Sequence, residues 1–371
     1  MPVTGPSFFQ TRRRLLTGIL TLPLVTCGLR LNARGTESKQ LSVIDRWHTG
    51  NHTLYPFLRQ GDTLYLNGNS TLEAWDISTR QRRWSSKLLS SATYRPRCNS
   101  EFVVSCGRKQ LSGFLRENGK LAWRYTPRSE LGIPVITESH VYVGEGNILL
   151  AIEIVSGEIV WKFPILKNAR IAYAPIEWNG VIYLGSGDGI LYAIRAVNGE
   201  LLWSIDREKD WQYLRQLHID SGVLIAGGYH DELFGIDLDD GELHWRFNAG
   251  NFVNSHVVSK GMTYFWSPTG WIYALDSMVG EVIWRHRTND FRRPANNSNW
   301  APLMAELVTG ESHLYALAMD NTLHVLDRET GDKTDEFFIS EKVRPFICLG
   351  SNPGDLLFGS VIGDVLLANT V

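Results

Sequence analysis

The chain has 371 residues, with 37 lysines and arginines against 39 aspartates and glutamates, a formal net charge of −2. That balance excludes the strongly basic surface of a generic nucleic-acid binder. Hydrophobic residues make up 43% and aromatic residues 11%, which excludes wholesale disorder, because such a chain can bury enough surface to offset its ordering entropy. Thirteen tryptophans and 34 glycines are the features that need a cause.

The first 35 residues differ from the rest. Arg12, Arg13 and Arg14 precede a short apolar run from Leu15 to Val25, broken at Pro23. Eleven residues suit the core of an export signal and are too few to span a bilayer, which takes about 20. Thr11 to Leu16 resembles the twin-arginine export motif, and Leu24-Val25-Thr26-Cys27 resembles a lipobox. Thr26 departs from the small residue usual before the lipidated cysteine, so lipidation of Cys27 stays open. The expectation is an exported protein, in the periplasm or on the outer face of the cell membrane, with residues 1–35 as leader and linker. A membrane contact enters only through a lipid at Cys27.

From residue 41 onward a repeat organises the chain. Segments ending at Trp161, Trp203, Trp245 and Trp284 align, each with a Leu-x-Ala-Ile-like strand, a turn holding Gly-Glu, and a second strand closing on tryptophan. Weaker copies end at Trp84 and Trp123, and another carries Asp335 where tryptophan is expected. Successive spacings from Trp84 to Trp284 are 39, 38, 42, 42 and 39 residues. A period near 40 containing several short strands indicates propeller blades. Gly119, Gly157, Gly199, Gly241, Gly280 and Gly331 sit where a tight hairpin needs positive φ, with Arg80 in their place in the first copy.

The final copy, from Gly363, ends before its outer strand. Leu41 to Trp47 has the pattern of that missing strand, with Trp47 in the repeat's tryptophan position. The fold expected for residues 41–371 is therefore an all-β, eight-bladed propeller of four-stranded antiparallel blades, closed by an N-terminal strand, with seven blades as the fallback. Closure removes the exposed end edges of the array. Cys98 and Cys106 flank an inner hairpin about three positions out of register, roughly 10 Å at strand rise, so they are expected to stay free thiols.

Ala151-Ile152-Glu153 followed by Gly157 and Trp161, and Ala274-Leu275-Asp276 followed by Gly280 and Trp284, resemble the PQQ-like, quinoprotein-type propeller repeat with its docking tryptophan. The resemblance covers almost all of 41–371. The WD-repeat pattern fits poorly, since no copy ends in Trp-Asp after a Gly-His element. Exported chains of this size resemble BamB-type lipoproteins of outer-membrane protein assembly. That resemblance implies a non-catalytic scaffold or adaptor that binds protein partners in the cell envelope, expected as a monomer with no nucleic-acid partner. No cofactor is expected. The alternative is a PQQ- or metal-dependent oxidoreductase using pyrroloquinoline quinone and calcium. Such enzymes resemble one another in an adjacent-cysteine ring, and no Cys-Cys pair occurs here. A second alternative is a sensor of a small ligand or glycan. Fold alone does not decide among these.

Candidate chemistry is sparse. Asp237, Asp239, Asp240 and Glu242 coincide with an ordinary hairpin and lack the EF-hand spacing of a calcium loop, so they read as turn residues. Gly185 to Gly189 is a glycine-rich turn without the helix a phosphate cradle needs. His218 and His256 align on inner strands of adjacent repeats, where other copies carry proline, and could meet at the channel. The connections between blades carry Tyr94, Arg95, Arg170, Tyr173, Trp211, Tyr213, Arg215 and Arg344. The longest insertion, from His286 to Trp300, adds Arg292 and Arg293. Arginine and aromatic residues are enriched at interface hot spots. Together with the two histidines these residues form the candidate binding face, expected to be a mildly cationic, aromatic mouth for an acidic loop, peptide or anionic ligand.

Overall fold

A computed structural model of the protein describes residues 39–49, 51, 54–206, 216–227, 232–250, 256–267, 270–288, 304–318 and 320–371. Cys27, Trp211, Tyr213, Arg215, Arg292, Arg293 and Trp300 lie outside the described residues, as do residues 1–35 as a whole. The described residues contain no helix and form eight sheets. Blade 1 spans 58–87, blade 2 spans 97–125, blade 3 spans 135–164, blade 4 spans 176–206, blade 5 spans 216–248, blade 6 spans 256–287 and blade 7 spans 304–338. Blade 8 takes three strands from 343–369 and its fourth, Val43–His48, from the other end of the chain.

Blade 3 shows how sequence makes a blade. Its strands are Val135–Ile136, His140–Glu145, Ile148–Glu153 and Ile159–Pro164, paired antiparallel in that order. The two middle strands are buried on both faces and read as continuous apolar runs, Val141-Tyr142-Val143 and Leu149-Leu150-Ala151-Ile152. Their side chains alternate, so Leu150 and Ile152 pack against blade 2 while Leu149 and Ala151 pack against blade 4. The fourth strand lies outermost, with its tryptophan buried and its neighbours exposed. First strands of adjacent blades approach one another and line the central channel.

The recurring tryptophan docks on the next blade. Indole Nε1 of Trp84, Trp123, Trp161, Trp245 and Trp284 donates to the carbonyls of Arg116, Ile154, Ala196, Ser277 and Arg328, at 3.0, 2.5, 2.9, 3.1 and 3.0 Å. Each acceptor is the first residue past the third strand of the following blade. A second-strand tyrosine packs at a tilt against the ring, as Tyr142 does on Trp161 with centroids 5.7 Å apart and planes at 38°. The hairpin glycine answers two demands. Gly157 has φ +74°, and a Cβ there would fall 2.6 Å from the Trp123 ring, so neither the backbone nor the packing admits a side chain. Burying one such indole contributes on the order of 4 kcal/mol.

The ring closes as the repeat arithmetic predicts. Val43–His48 pairs antiparallel with Asp364–Asn369, and Trp47 lies opposite Val365. Arg80, in the glycine position of blade 1, keeps the left-handed conformation at φ +59° and pairs with Asp45 of the closing strand. One element had no sequence signal. Lys39–Gln40 adds a fifth, parallel strand to the outer edge of blade 7, in register with Phe337 and Phe338. Lys39 pairs with Asp335 at 2.7 Å, and Leu41 is buried between blades 7 and 8.

Cys98, Cys106 and Cys348 are free thiols. Cys98 lies opposite Val103 in its hairpin, three residues from Cys106, as expected from the repeat. The acidic hairpin of blade 5 is turn chemistry. Asp237 Oδ1 accepts the main-chain N–H of Asp239 at 2.7 Å, and these bonds hold its carboxyl below the usual range. Asp76, Asp276 and Asp327 repeat the arrangement in blades 1, 6 and 7.

Candidate functional site

The described channel contains a cavity of about 460 Å³ bounded by the inner strands of blades 1 to 5. Its wall is mostly aliphatic, from Leu58, Ile133, Val135, Ile136, Ile176 and Leu217. Four polar side chains enter it: Gln60, Arg97, Gln216 and His218. A mostly apolar concavity of this size with a few placed polar groups is the usual form of a ligand site. The lining holds no carboxylate, and the described residues hold no group of three or more His, Cys, Asp or Glu arranged for a metal. A hard cation such as calcium needs charged oxygen donors, so this donor set does not fit it.

His218 and His256 do meet across the blade 5–blade 6 junction, with ring centroids 4.7 Å apart and planes at 77°. Their alignment in sequence is one residue out. His218 lies opposite Ile225, whereas the residue of blade 6 in that position is Val257, opposite Tyr264. The offset is why the rings face each other. Leu217 packs toward blade 4, so His218 turns toward blade 6; Val257 packs toward blade 7, so His256 turns back toward blade 5. Had the two histidines been equivalent, alternation would have aimed both the same way round the ring. Gln216 Oε1 accepts the His256 main-chain N–H at 3.0 Å and ties the same two strands. Burial lowers the imidazole pKa of His218, partly offset by a hydrogen bond to the His256 main chain. His256 is depressed further, by burial and then by His218, and its Nε2 is buried without a hydrogen-bond partner. Both rings are therefore neutral at physiological pH.

The predicted mouth residues divide by what they touch. Tyr94 Oη donates to the Leu131 carbonyl at 3.0 Å, and Arg170 Nη2 donates to the same carbonyl at 3.2 Å. Arg170 also pairs with Glu130 at 2.6 Å. Three successive inter-blade connections are laced together at Glu130 and Leu131, so Tyr94 and Arg170 hold the loops in place. Desolvation raises the Tyr94 phenol pKa, in keeping with its packed position. Arg95 and Tyr173 are half-buried on two of these connections, and Arg344 is half-buried on the innermost strand of blade 8, Val343–Leu349, with its Nε buried without a partner. Leu89 and Leu166, each 70% exposed, lie on loops 1–2 and 3–4.

Sequence reasoning missed Gln60, Arg97 and Gln216. Their strands, Leu58–Gln60, Arg97–Cys98 and Gln216–Asp220, are short and of mixed polarity, so no apolar pattern marked them. The glycine-rich turn of blade 4 has a structural use. Asp188 accepts from Tyr192 Oη at 2.7 Å and from the Ile190 N–H at 3.1 Å, which closes the turn on itself.

The sequence matches the family described as outer membrane protein assembly factor BamB over residues 107–217 and 206–345. The chain belongs to the BamB family of PQQ-like propellers. Among solved structures it is similar to BamB from Moraxella catarrhalis at 15% identity and TM-score 0.68, covering 89% of this chain and 97% of that one. The computationally designed protein Ika8 is similar at 13% identity and TM-score 0.70, covering 90% and 100%. Quinohemoprotein alcohol dehydrogenase from Comamonas testosteroni is similar at 11% identity and TM-score 0.69, covering 89% of this chain and 76% of that one. At such identities the likeness is one of fold. No curated protein matches the sequence.

Proposed function

We infer that this BamB-family propeller is an exported, non-catalytic scaffold that binds a protein partner in the cell envelope, and that its work is outer-membrane protein assembly. The observation that carries the reading is the family match across 107–345, which spans blades 3 to 7 whole and most of blade 2. The channel face supports it. Its loops are laced into a rigid platform at Glu130 and Leu131 and carry half-buried arginines as well as exposed leucines. A rigid scaffold that presents such loops suits recognition. Export with a lipid at Cys27 belongs to the same proposal.

The oxidoreductase reading draws on the dehydrogenase neighbour, but the cavity's arginine, glutamines and histidine offer no carboxylate set for calcium. The test replaces Arg95, Arg215 and Arg344 together with alanine and measures crosslinked partners in the native envelope by mass spectrometry. Loss of partner crosslinks, with an unchanged melting temperature, is expected. Unchanged crosslinks contradict the reading, and stoichiometric uptake of quinone with calcium by purified protein moves it to the oxidoreductase.

A further inference from the structure

The cavity in the channel has a lining that a scaffold function does not use. One position of the innermost strand recurs from blade to blade, opposite the second-strand residues Tyr65, Val103, Tyr142 and Tyr183. Leu58, Cys98, Val135 and Ile176 occupy it in blades 1 to 4, and all four are only half-buried. All four line the cavity, so their exposed parts form one arc of apolar surface. An open apolar concavity rimmed by a few polar groups marks a binding site.

The polar groups of the same lining set the class of ligand. Arg97 is the only charged side chain among the described lining residues. Its Nε donates to the Pro134 carbonyl at 3.3 Å, which ties the guanidinium to the start of blade 3. Gln216 spends its amide oxygen on the His256 main-chain N–H at 3.0 Å, so its amide nitrogen is what it offers to the cavity. His218 adds a ring that burial keeps neutral. A lining with a guanidinium and an amide donor, and no carboxylate among its described residues, favours an anion and disfavours a cation. One guanidinium balances one negative charge.

We propose that the cavity binds a small organic monocarboxylate, with its apolar body against the arc of blades 1 to 4 and its carboxylate at Arg97. The inference does not depend on the envelope-scaffold reading, because it uses the channel wall and not the loops. Cys98, in the same wall, reports occupancy. Its thiol is free and half-buried, and its alkylation depends on access through the cavity.

Calorimetry on the full chain tests the proposal with 4-phenylbutanoate, its uncharged analogue 4-phenylbutanamide and its cationic analogue 4-phenylbutylamine. The carboxylate is expected to bind with a Kd between roughly 10 µM and 1 mM, as its size allows. The amide is expected to bind about tenfold more weakly, for want of a charge-assisted hydrogen bond, and the amine not at all. Bound carboxylate should slow alkylation of Cys98 by N-ethylmaleimide about threefold or more, read by peptide mass spectrometry. Cys348, outside this lining, should react as before. Arg97→Gln is expected to remove the preference for carboxylate over amide. Gln60→Glu, at an exposed lining residue where folding is not at stake, should weaken carboxylate binding and leave amide binding unchanged. No binding of the carboxylate at about 10 mM, equal affinity for all three probes, or binding that leaves Cys98 unprotected overturns the proposal.

Discussion

The blade junctions are of two kinds. From blade 1 through blade 7, each outer-strand tryptophan meets a hairpin glycine of the next blade, as Trp123 meets Gly157 and Trp284 meets Gly331. At the 7–8 junction both partners are missing together. Asp335 replaces the tryptophan, and blade 8 has no hairpin between its third and fourth strands, because the fourth strand comes from residues 43–48. A tryptophan there would have no glycine to receive it. Leu41 fills the gap instead, with Lys39 neutralising Asp335. The 8–1 junction is an intermediate case. Trp47 is buried, but its indole nitrogen has no partner and Arg80 stands in the glycine position. Its interior is also more polar. Glu73 is buried, accepts from Trp75 Nε1 at 2.8 Å, and has its pKa raised by desolvation. Every one of these junctions buries an apolar cluster, and the closing two add chain crossover and ion pairs where the tryptophan–glycine pair is missing.

The comparison breaks most visibly at a regular junction. Trp123→Ala removes a buried ring and leaves Gly157 over a cavity, so it is expected to cost about 3–5 kcal/mol of unfolding free energy in urea titration. A loss below about 1 kcal/mol would mean that the docking tryptophans are not the main fastening. Next in size is the ionic clasp of blade 8. Asp364 is buried and accepts from Arg46 Nη1 at 2.9 Å and from His48. Asp364→Asn removes one of the two carboxylates, Asp364 and Glu341, with which Arg46 pairs. Because Arg46 is 40% exposed, the expected cost is about 2 kcal/mol rather than that of a fully buried pair. Adding 1 M salt should lower wild-type stability more than that of this variant.

The smallest effect separates one regular junction from the others. His218 and His256 are held neutral by burial, with folded pKa values below the ordinary 6.5. The unfolded chain takes up protons near pH 6.5 while the folded one does not. Their contribution is thus complete above pH 6.5 and is lost as pH falls toward the folded values. The urea midpoint should drop between pH 7 and pH 5 in the wild type and drop less in His256→Leu. Parallel pH curves for the two would remove the histidine pair from the account.

Much of this was legible before any coordinates, because a repeat states the same physics several times. Period, blade count and the closing strand all followed from where Trp47 and its six successors fall. The parallel strand at Lys39–Gln40 was not legible. It is two residues long, has no periodicity, and exists only because Asp335 and the missing hairpin leave a gap. The histidine contact was anticipated for the wrong reason, since strand alternation makes a one-residue misalignment reverse the direction of a side chain. Tyr94 and Arg170 are recognition candidates by residue type alone. What the sequence could not show was the Leu131 carbonyl waiting for both. Trp75, Trp266 and Trp271, outside the docking series, proved to be packing residues too. Trp75 and Trp266 are buried, and Trp271 lies under Arg285 at 4.6 Å.

The central claim is that residues 39–48 complete two different blades. Thermal melting of chains beginning at residue 39, 42 or 49 tests it most directly. The chain from 39 should melt with the full-length protein. The chain from 42 should lose several degrees with the blade 7–8 plug. The chain from 49, lacking the fourth strand of blade 8, should lose its cooperative transition. Equal melting temperatures for the chains from 39 and 49 would contradict the account.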